Sequence, residues 1–481
     1  YLGGIVVVGI RSRGRQDNIN DYFTAHGSFR GRLGRMLVGL SIAATLFSGL
    51  SFIVYPSLFY SYGLTVLSGL AGFPLSYIFM RWWFLPRYLA MDWSSPYEII
   101  ERRFGRRARL LASAFFILSR LSWMAALIYA PVIVVVTALN IGNEWLWPVV
   151  ALIGLSSTAY TVVGGIRGVI ITDAIQLLLI AAALLGTIIF IVVKIPLSLG
   201  EVVTFVRTNT PLLHLNWSLD PRVTITVAAL GIGGSIGNLG SYSADQMALQ
   251  RYLAAGDARA ATSAFGTSVI AMPFVLVLLA AVGLAIGAWY SVHPDAALPT
   301  QADKVFPYFV ATQLPVGFIG IVIAAILAAT MSSITSGINA LSGSLLNDFI
   351  PLATRVGPKQ LLGYARWVSA GIGVLATLGA GYVEKIGSLF EIMTVLLGIF
   401  SGPLLGCMLC AVSRFRIKGS VMIGAMGAGF LTSIGIVSSP VSPIWVTLGS
   451  TVITLLTAGL VSLIIPGQSG PDGRRNAQAK P

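Results

Sequence analysis

The chain has 481 residues, 56% of them hydrophobic and only 10% charged, where a soluble globular protein carries ~25% Asp, Glu, Lys and Arg. No charged residue occurs between Arg35 and Arg81 or between Lys418 and Asp472, and only Arg120 between Arg109 and Glu144. Each stretch exceeds the ~20 apolar residues that cross a bilayer core, which excludes a soluble protein. Continuous apolar runs also exclude the alternating strands of a membrane barrel, so the expected fold is an all-α polytopic bundle whose backbone hydrogen bonds close within helices.

The net charge of +14 reads as topology rather than nucleic-acid binding. With the basic loop 11–35 placed in the cytoplasm, inside segments hold 25 Lys and Arg and outside segments five, the asymmetry that orients membrane proteins. In chain order, Tyr1 to Ile10 is half a span, read as a truncated helix. Twelve full spans follow at 36–59, 63–84, 110–139, 146–164, 168–193, 223–243, 262–289, 316–346, 367–383, 386–411, 419–437 and 445–465. Between the second and third, Ser95 to Phe104 reads as a short amphipathic helix on the cytoplasmic surface, with Pro96 in its first turn. Outside loops 194–222 and 290–315 are long enough for short caps. Cys407 and Cys410 form a C-x-x-C inside an apolar span, too few ligands for a metal, and read as core.

Ionisable groups at membrane depth are functional candidates by default, and few are present. Asp173 lies six residues beyond Arg167, ~9 Å into its helix, and could serve as partner to that arginine or as an ion ligand. Arg120 falls near mid-membrane, and Glu391 near the outer end of its helix. Ser332, Thr335, Ser336 and Asn339 stand at i, i+3, i+4 and i+7 of one span, with Ser333 beside them, so one helix face carries a row of oxygens. Such rows often serve helix packing, but a deep carboxylate on another helix suits a hard cation that takes several oxygen ligands. The first span carries small and hydroxyl residues from Gly39 to Ser51, and the sixth carries the glycine run Gly231 to Gly240. Breaks in corresponding helices of two repeats mark transporter binding sites; close packing is the competing explanation. Gly233-Gly234-Ser235-Ile236-Gly237 matches G-x-S-x-G, yet His26, His214 and His293 all fall in loops, which argues against an enzyme.

At these residues the sequence resembles the sodium:solute symporter family, nearest in motifs to its sialic-acid, monocarboxylate and iodide members. The likeness runs from Asp21-Tyr22-Phe23 to about residue 411. It includes Gly39 to Gly49; Pro96-Tyr97-Glu98 with Glu101 to Phe104; Tyr160 to Gln176 around Gly164-Gly165; Asp245 with Gln250-Arg251-Tyr252; and Met331 to Asn339. The family's double-glycine signature prefers Leu, Met or Phe where Ile166 stands and a different small residue at Gly168.

The resemblance implies a LeuT-type, five-plus-five inverted repeat. Residues 1–33 would hold the truncated helix and a cytoplasmic loop, 34–194 the first repeat, 195–221 an external loop, 222–411 the second repeat, 412–465 two extra transmembrane helices and 466–481 a cytoplasmic tail. It implies sodium bound by Ala44, Phe47, Ala329, Ser332 and Ser333, an additional sodium site at Asp173, Ser332, Thr335 and Ser336, and substrate against Ser48, Ser51, Arg120, Trp123 and Asn238. Sialic-acid carriers hold their carboxylate with an arginine in helix three; Trp123 occupies that position here, with Arg120 one turn away. The expectation is Na⁺-coupled symport of a small organic acid by a multi-pass protein of the plasma or inner membrane, with solute, Na⁺ and lipid as partners. No nucleic acid and no cofactor beyond the coupling ion is expected. The competing readings are proton coupling through Asp173, and a solute-binding sensor without transport.

Overall fold

A computed structural model describes residues 1–12, 19–25, 28–29, 31–90, 95–138, 142–196, 198–208, 215–301, 304–350, 356–381, 389–413 and 415–465. The long elements, in order, are α1 Leu2–Arg11, α2 Gly31–Leu46, α3 Gly49–Tyr62, α4 Gly72–Phe79, α5 Glu98–Phe104, α6 Arg106–Ala138, α7 Leu146–Lys194, α8 Gly234–Ser243 and α9 Gln246–Ala255. They are followed by α10 Ala258–Val292, α11 Val316–Ser344, α12 Pro358–Ala380, α13 Leu389–Val412, α14 Gly419–Val437 and α15 Val446–Ile464. Among the described residues eight helical segments are long and apolar enough to cross a membrane.

Two of these eight contain a sharp turn that the hydropathy pattern resolves only as a seam. The segment Gly49–Tyr88 turns at Gly63, whose φ is 57°. The 49-residue α7 turns at Gly165, with φ 55° and ψ −165°. Both lie in the left-handed region that side chains avoid and glycine enters freely, so each glycine closes one span and opens the next. The ninth span starts earlier than its uncharged run, at Pro358 rather than 367, because proline suits a first helical turn and Lys359 and Arg366 simply ride on the helix. Residues 382–388 of the expected ninth and tenth spans, and the side chain of Glu391, lie outside the described residues.

The amphipathic segment is helical from Glu98 to Phe104 and buries Ile99, Ile100 and Phe104, while Glu98 and Arg102 pair one turn apart on the exposed face. The two long loops after the fifth and seventh spans carry short helices, Leu199–Thr208 and Val305–Gln313. The second is seated on α3: its Phe306 N–H donates to Ser57 Oγ at 3.1 Å, and the Phe306 and Phe52 rings lie 5.9 Å apart. Cys407 and Cys410 are free and buried. At the centre stands α11, in which every residue from Ala328 to Ser344 is buried. Its hydroxyl row therefore faces protein and not lipid.

Candidate functional site

The first span is broken. After α2 ends at Leu46 the chain becomes extended at Ser48, φ −102° and ψ 164°, and Ser48 then caps α3 by accepting from the Ser51 N–H at 3.2 Å. Serine favours this position because its hydroxyl closes one of the free donors of the new helix. A break also strips the last carbonyls of α2 of their helical donors. Serines of α11 supply replacements: Ser332 Oγ donates to Ala44 O at 2.9 Å, while also reaching Ala329 O of its own helix at 2.9 Å, and Ser333 Oγ donates to Thr45 O at 3.1 Å and Phe47 O at 3.4 Å. A Cβ on Gly49 would collide with Thr330 Oγ1, so glycine is what lets the broken segment approach α11 this closely. The result is a cluster of carbonyl and hydroxyl oxygens at the negative end of α2, and Ala44, Phe47, Ala329, Ser332 and Ser333 all belong to it.

One turn away lies Asp173. Its partner is not Arg167, which is exposed, but Arg251 of α9, with Nη2 to Oδ2 at 2.8 Å and both side chains fully buried. The charge count that treated Arg251 as a cytoplasmic loop residue is corrected by this burial. The same Oδ2 accepts from Ser41 at 2.6 Å and Thr45 at 3.3 Å. Arg251 also donates from Nη2 to Ser336 Oγ at 2.5 Å and from Nε to Ser41 Oγ at 2.7 Å. Asp173 Oδ1 is buried with no hydrogen-bond partner. Ser336, which also meets Thr45 Oγ1 at 3.0 Å, links this cluster to the end of α2. Thr335 spends its hydroxyl on the carbonyl of Ser332, 3.2 Å away, and Asn339 donates to Gln250 of α9 at 3.0 Å.

The chain is broken at the end of the sixth span as well, but not where the glycines suggest. Gly231 to Gly240 stay helical, with a π-helical turn at Ala229–Gly233. The interruption falls at Ala244 and Asp245, where Asp245 turns extended and caps α9 by accepting from the Met247 N–H at 2.8 Å. The freed carbonyls are met by tyrosines: Tyr97 donates to Ala244 O at 2.7 Å and Tyr252 to Tyr242 O at 3.0 Å. Nor do Gly234 and Gly237 serve close packing, since a Cβ on either would meet nothing within 4 Å.

Asp245 has a second role, for its other carboxylate oxygen pairs with Arg120 of α6, and both side chains are almost fully buried. The guanidinium also stacks over Trp123, 4.6 Å from the ring centroid. The pair lines a cavity of about 10 Å³ together with Ser119, Ser241, Ser401 and Phe116, room for roughly one water. Of the other expected substrate contacts, Ser48 and Ser51 are occupied with each other at the α3 cap, and Asn238 lies against Gly72 of α4. Neither group lines this cavity.

A further buried ion cluster had no counterpart in the sequence reading. Arg109 donates to Asp348 Oδ1 from Nε at 2.9 Å, and to Glu101 at 2.6 Å and Ser95 at 2.7 Å. The other Asp348 oxygen accepts from Ser113 at 2.5 Å and Ser344 at 2.9 Å. It locks the start of α6 to the end of α11, and the visible signal was a lone acid closing the long uncharged run of the eighth span.

The sequence profile of the sodium:solute symporter family matches residues 22–430, and the chain belongs to this family: it is a multi-pass, sodium-coupled solute symporter. It is 28% identical to the sodium/sialic acid symporter of Aliivibrio fischeri over 93% of this chain and 86% of that one. It is also 28% identical to the sodium/sialic acid symporter of Proteus mirabilis, over 88% and 85%. To the human sodium/iodide cotransporter it is 26% identical, over 92% of this chain and 67% of that one. Among solved structures, an outward-open Na⁺-coupled sialic acid symporter superposes with a TM-score of 0.86 at 24% identity, covering 98% of this chain and 97% of that one. A nucleobase-cation-symport-1 family transporter follows at 0.58 and 15% identity, over 95% and 98%. These likenesses establish the LeuT-type fold.

Proposed function

We propose that the chain carries a small organic acid bearing a hydroxyl or amine, driven by Na⁺ bound where α2 breaks against α11. The observation that carries the sodium part is the meeting of Ala44 O, Phe47 O, Ala329 O and the Ser332 and Ser333 hydroxyls at the negative end of α2. A hard cation replaces its hydration shell with such oxygens. An additional sodium ion would use Asp173 with Ser332, Thr335 and Ser336, and the unpartnered Oδ1 of Asp173 favours that reading. The competing reading, proton coupling through Asp173, predicts uptake driven by a pH gradient without sodium.

The substrate part rests on the Arg120–Asp245 pair beside the small cavity. A solute carboxylate would displace Asp245 from the guanidinium, which takes carboxylates through two parallel hydrogen bonds. Asp245, released, would accept from a hydroxyl or N–H of the same solute. Relatives named for sialic acid and for iodide move anions, which agrees with a cationic group near the solute. Ser48, Ser51, Trp123 and Asn238 complete the proposed surroundings once the cavity opens.

The test is uptake into vesicles under an inward Na⁺ gradient, with competing hydroxy acids, amino acids, simple monocarboxylates and neutral sugars. Acids carrying a donor should compete best, and a pH gradient in sodium-free buffer should drive nothing. Competition by neutral solutes alone would overturn the substrate class while leaving sodium coupling intact.

A further inference from the structure

A second cavity, of about 700 Å³, opens away from the ion and solute clusters, between α2, the end of the second span and the start of α10. Three arginines line it, Arg35, Arg81 and Arg259. All three stand where their spans meet the cytoplasm in the charge-derived topology. Among the described residues none of them forms an ion pair. The adjacent acid, Asp257, is committed to capping α10 through the Ala260 N–H at 2.8 Å.

Three unpaired cations converging on one cleft repel one another, and Arg259 sits in the first turn of α10, the helix end that disfavours positive charge. Arg35 Nε is buried with no hydrogen-bond partner. Arg81 is held in place by a hydrogen bond to Tyr77 Oη at 3.2 Å and by the Trp82 ring, 5.7 Å from its guanidinium. Together the three guanidinium groups offer an anion several donors in one cleft. The outer wall favours a lipid source for such an anion: Trp82 is 63% and Ile270 75% exposed, an aromatic and an aliphatic side chain of the kind that favours the headgroup and upper acyl region. A soluble phosphate would gain nothing from that apolar wall.

We propose that this cleft binds the phosphate headgroup of an anionic phospholipid of the cytoplasmic leaflet, with its acyl chains against Trp82 and Ile270. Basic pockets between spans on the cytoplasmic side recognise such headgroups. Bound there, the phosphate ties the cytoplasmic half of α2 to the second span and to α10. Because α2 also carries Ala44 and leads directly into Phe47, the lipid restrains the segment that must move if the sodium cluster is to open inward. The lipid site itself stands independently of the solute and sodium assignments.

The test uses the purified full chain in neutral detergent with phosphatidylcholine. Phosphatidylglycerol, or inorganic phosphate in a separate arm, is added while bound lipid is counted by mass spectrometry and thermal unfolding is followed. Phosphatidylglycerol should be retained and raise the unfolding temperature; inorganic phosphate should not. Arg35→Gln, Arg81→Gln and Arg259→Gln should each weaken retention about fivefold, and Arg107→Gln, an exposed arginine outside the cleft, should leave it unchanged. Equal retention by the cleft variants, equal loss with Arg107→Gln, or equal stabilisation by inorganic phosphate would each overturn the proposal. The single variants suffice should a combined one fail to fold, since no ion pair is broken by any of them.

Discussion

Arg251→Met is expected to cost ~3–5 kcal/mol of stability, because it leaves the Asp173 carboxylate buried without its cation. Asp173→Asn should cost a comparable amount by stranding the guanidinium. The double variant Asp173→Asn with Arg251→Met should recover much of the loss, since a buried pair exchanged for neutral groups is often close to neutral. Retained folded protein after heating in detergent, for the two single variants and the double, measures this directly. The double variant also separates structure from ion binding. It restores folding but replaces the carboxylate, with its unpartnered oxygen, by a neutral amide that binds a cation far more weakly, so the steepness of uptake against sodium should fall toward one ion. Single variants as stable as the parent would show that the pair carries no structural weight. A stable double variant with full steepness would remove Asp173 from the sodium proposal.

Arg120→Lys should weaken the apparent affinity for an acid solute by roughly tenfold to a hundredfold, the size of one or two lost charge-assisted hydrogen bonds. Lysine retains the charge facing Asp245 and so protects folding, but it cannot present two parallel donors to a carboxylate. Asp245→Asn should act in the opposite sense on simple monocarboxylates, which no longer compete with an internal carboxylate for Arg120. It should weaken binding of solutes that depend on their hydroxyl or amine. Half-saturation for sodium should hardly change in either variant. An Arg120→Lys protein with unchanged affinity for the acid solute would reduce the Arg120–Asp245 pair to a structural tie between α6 and α9.

The apolar spans, the short amphipathic helix and the break in the first span are legible because each leaves a local mark. Apolar length marks a span, and the run from Gly39 to Ser51 supplies the small residues and the capping Ser48. The glycine density at 231–240 points to a break there, whereas the chain leaves the helix just past the sixth span, at a capping residue, Asp245. Ser48 and Asp245 each cap the helix that follows a break, so capping logic applied along the whole chain locates the second break. Arg251 and Arg109 were invisible as buried groups because a basic residue beside an apolar run looks like a loop anchor. Only their partners, Asp173 and Asp348, 78 and 239 residues away, reveal what they do. That pairing is tertiary, and no periodicity within one helix encodes it. The hydroxyl row of α11 was readable as a face, but not its division of labour. Ser332 and Ser333 turn to the α2 carbonyls, Ser336 to Arg251, and Asn339 to Gln250.

The central claim, sodium held where the first span breaks against α11, is tested most directly by the sodium dependence of uptake in Ser333→Ala. The change removes one oxygen facing Phe47 and Thr45 and barely alters packing. Half-saturation should therefore move to roughly tenfold higher sodium or beyond, with the amount of protein in the membrane little changed. Uptake that keeps the parent's half-saturation for sodium would contradict the account, and Ser333 would be a packing residue.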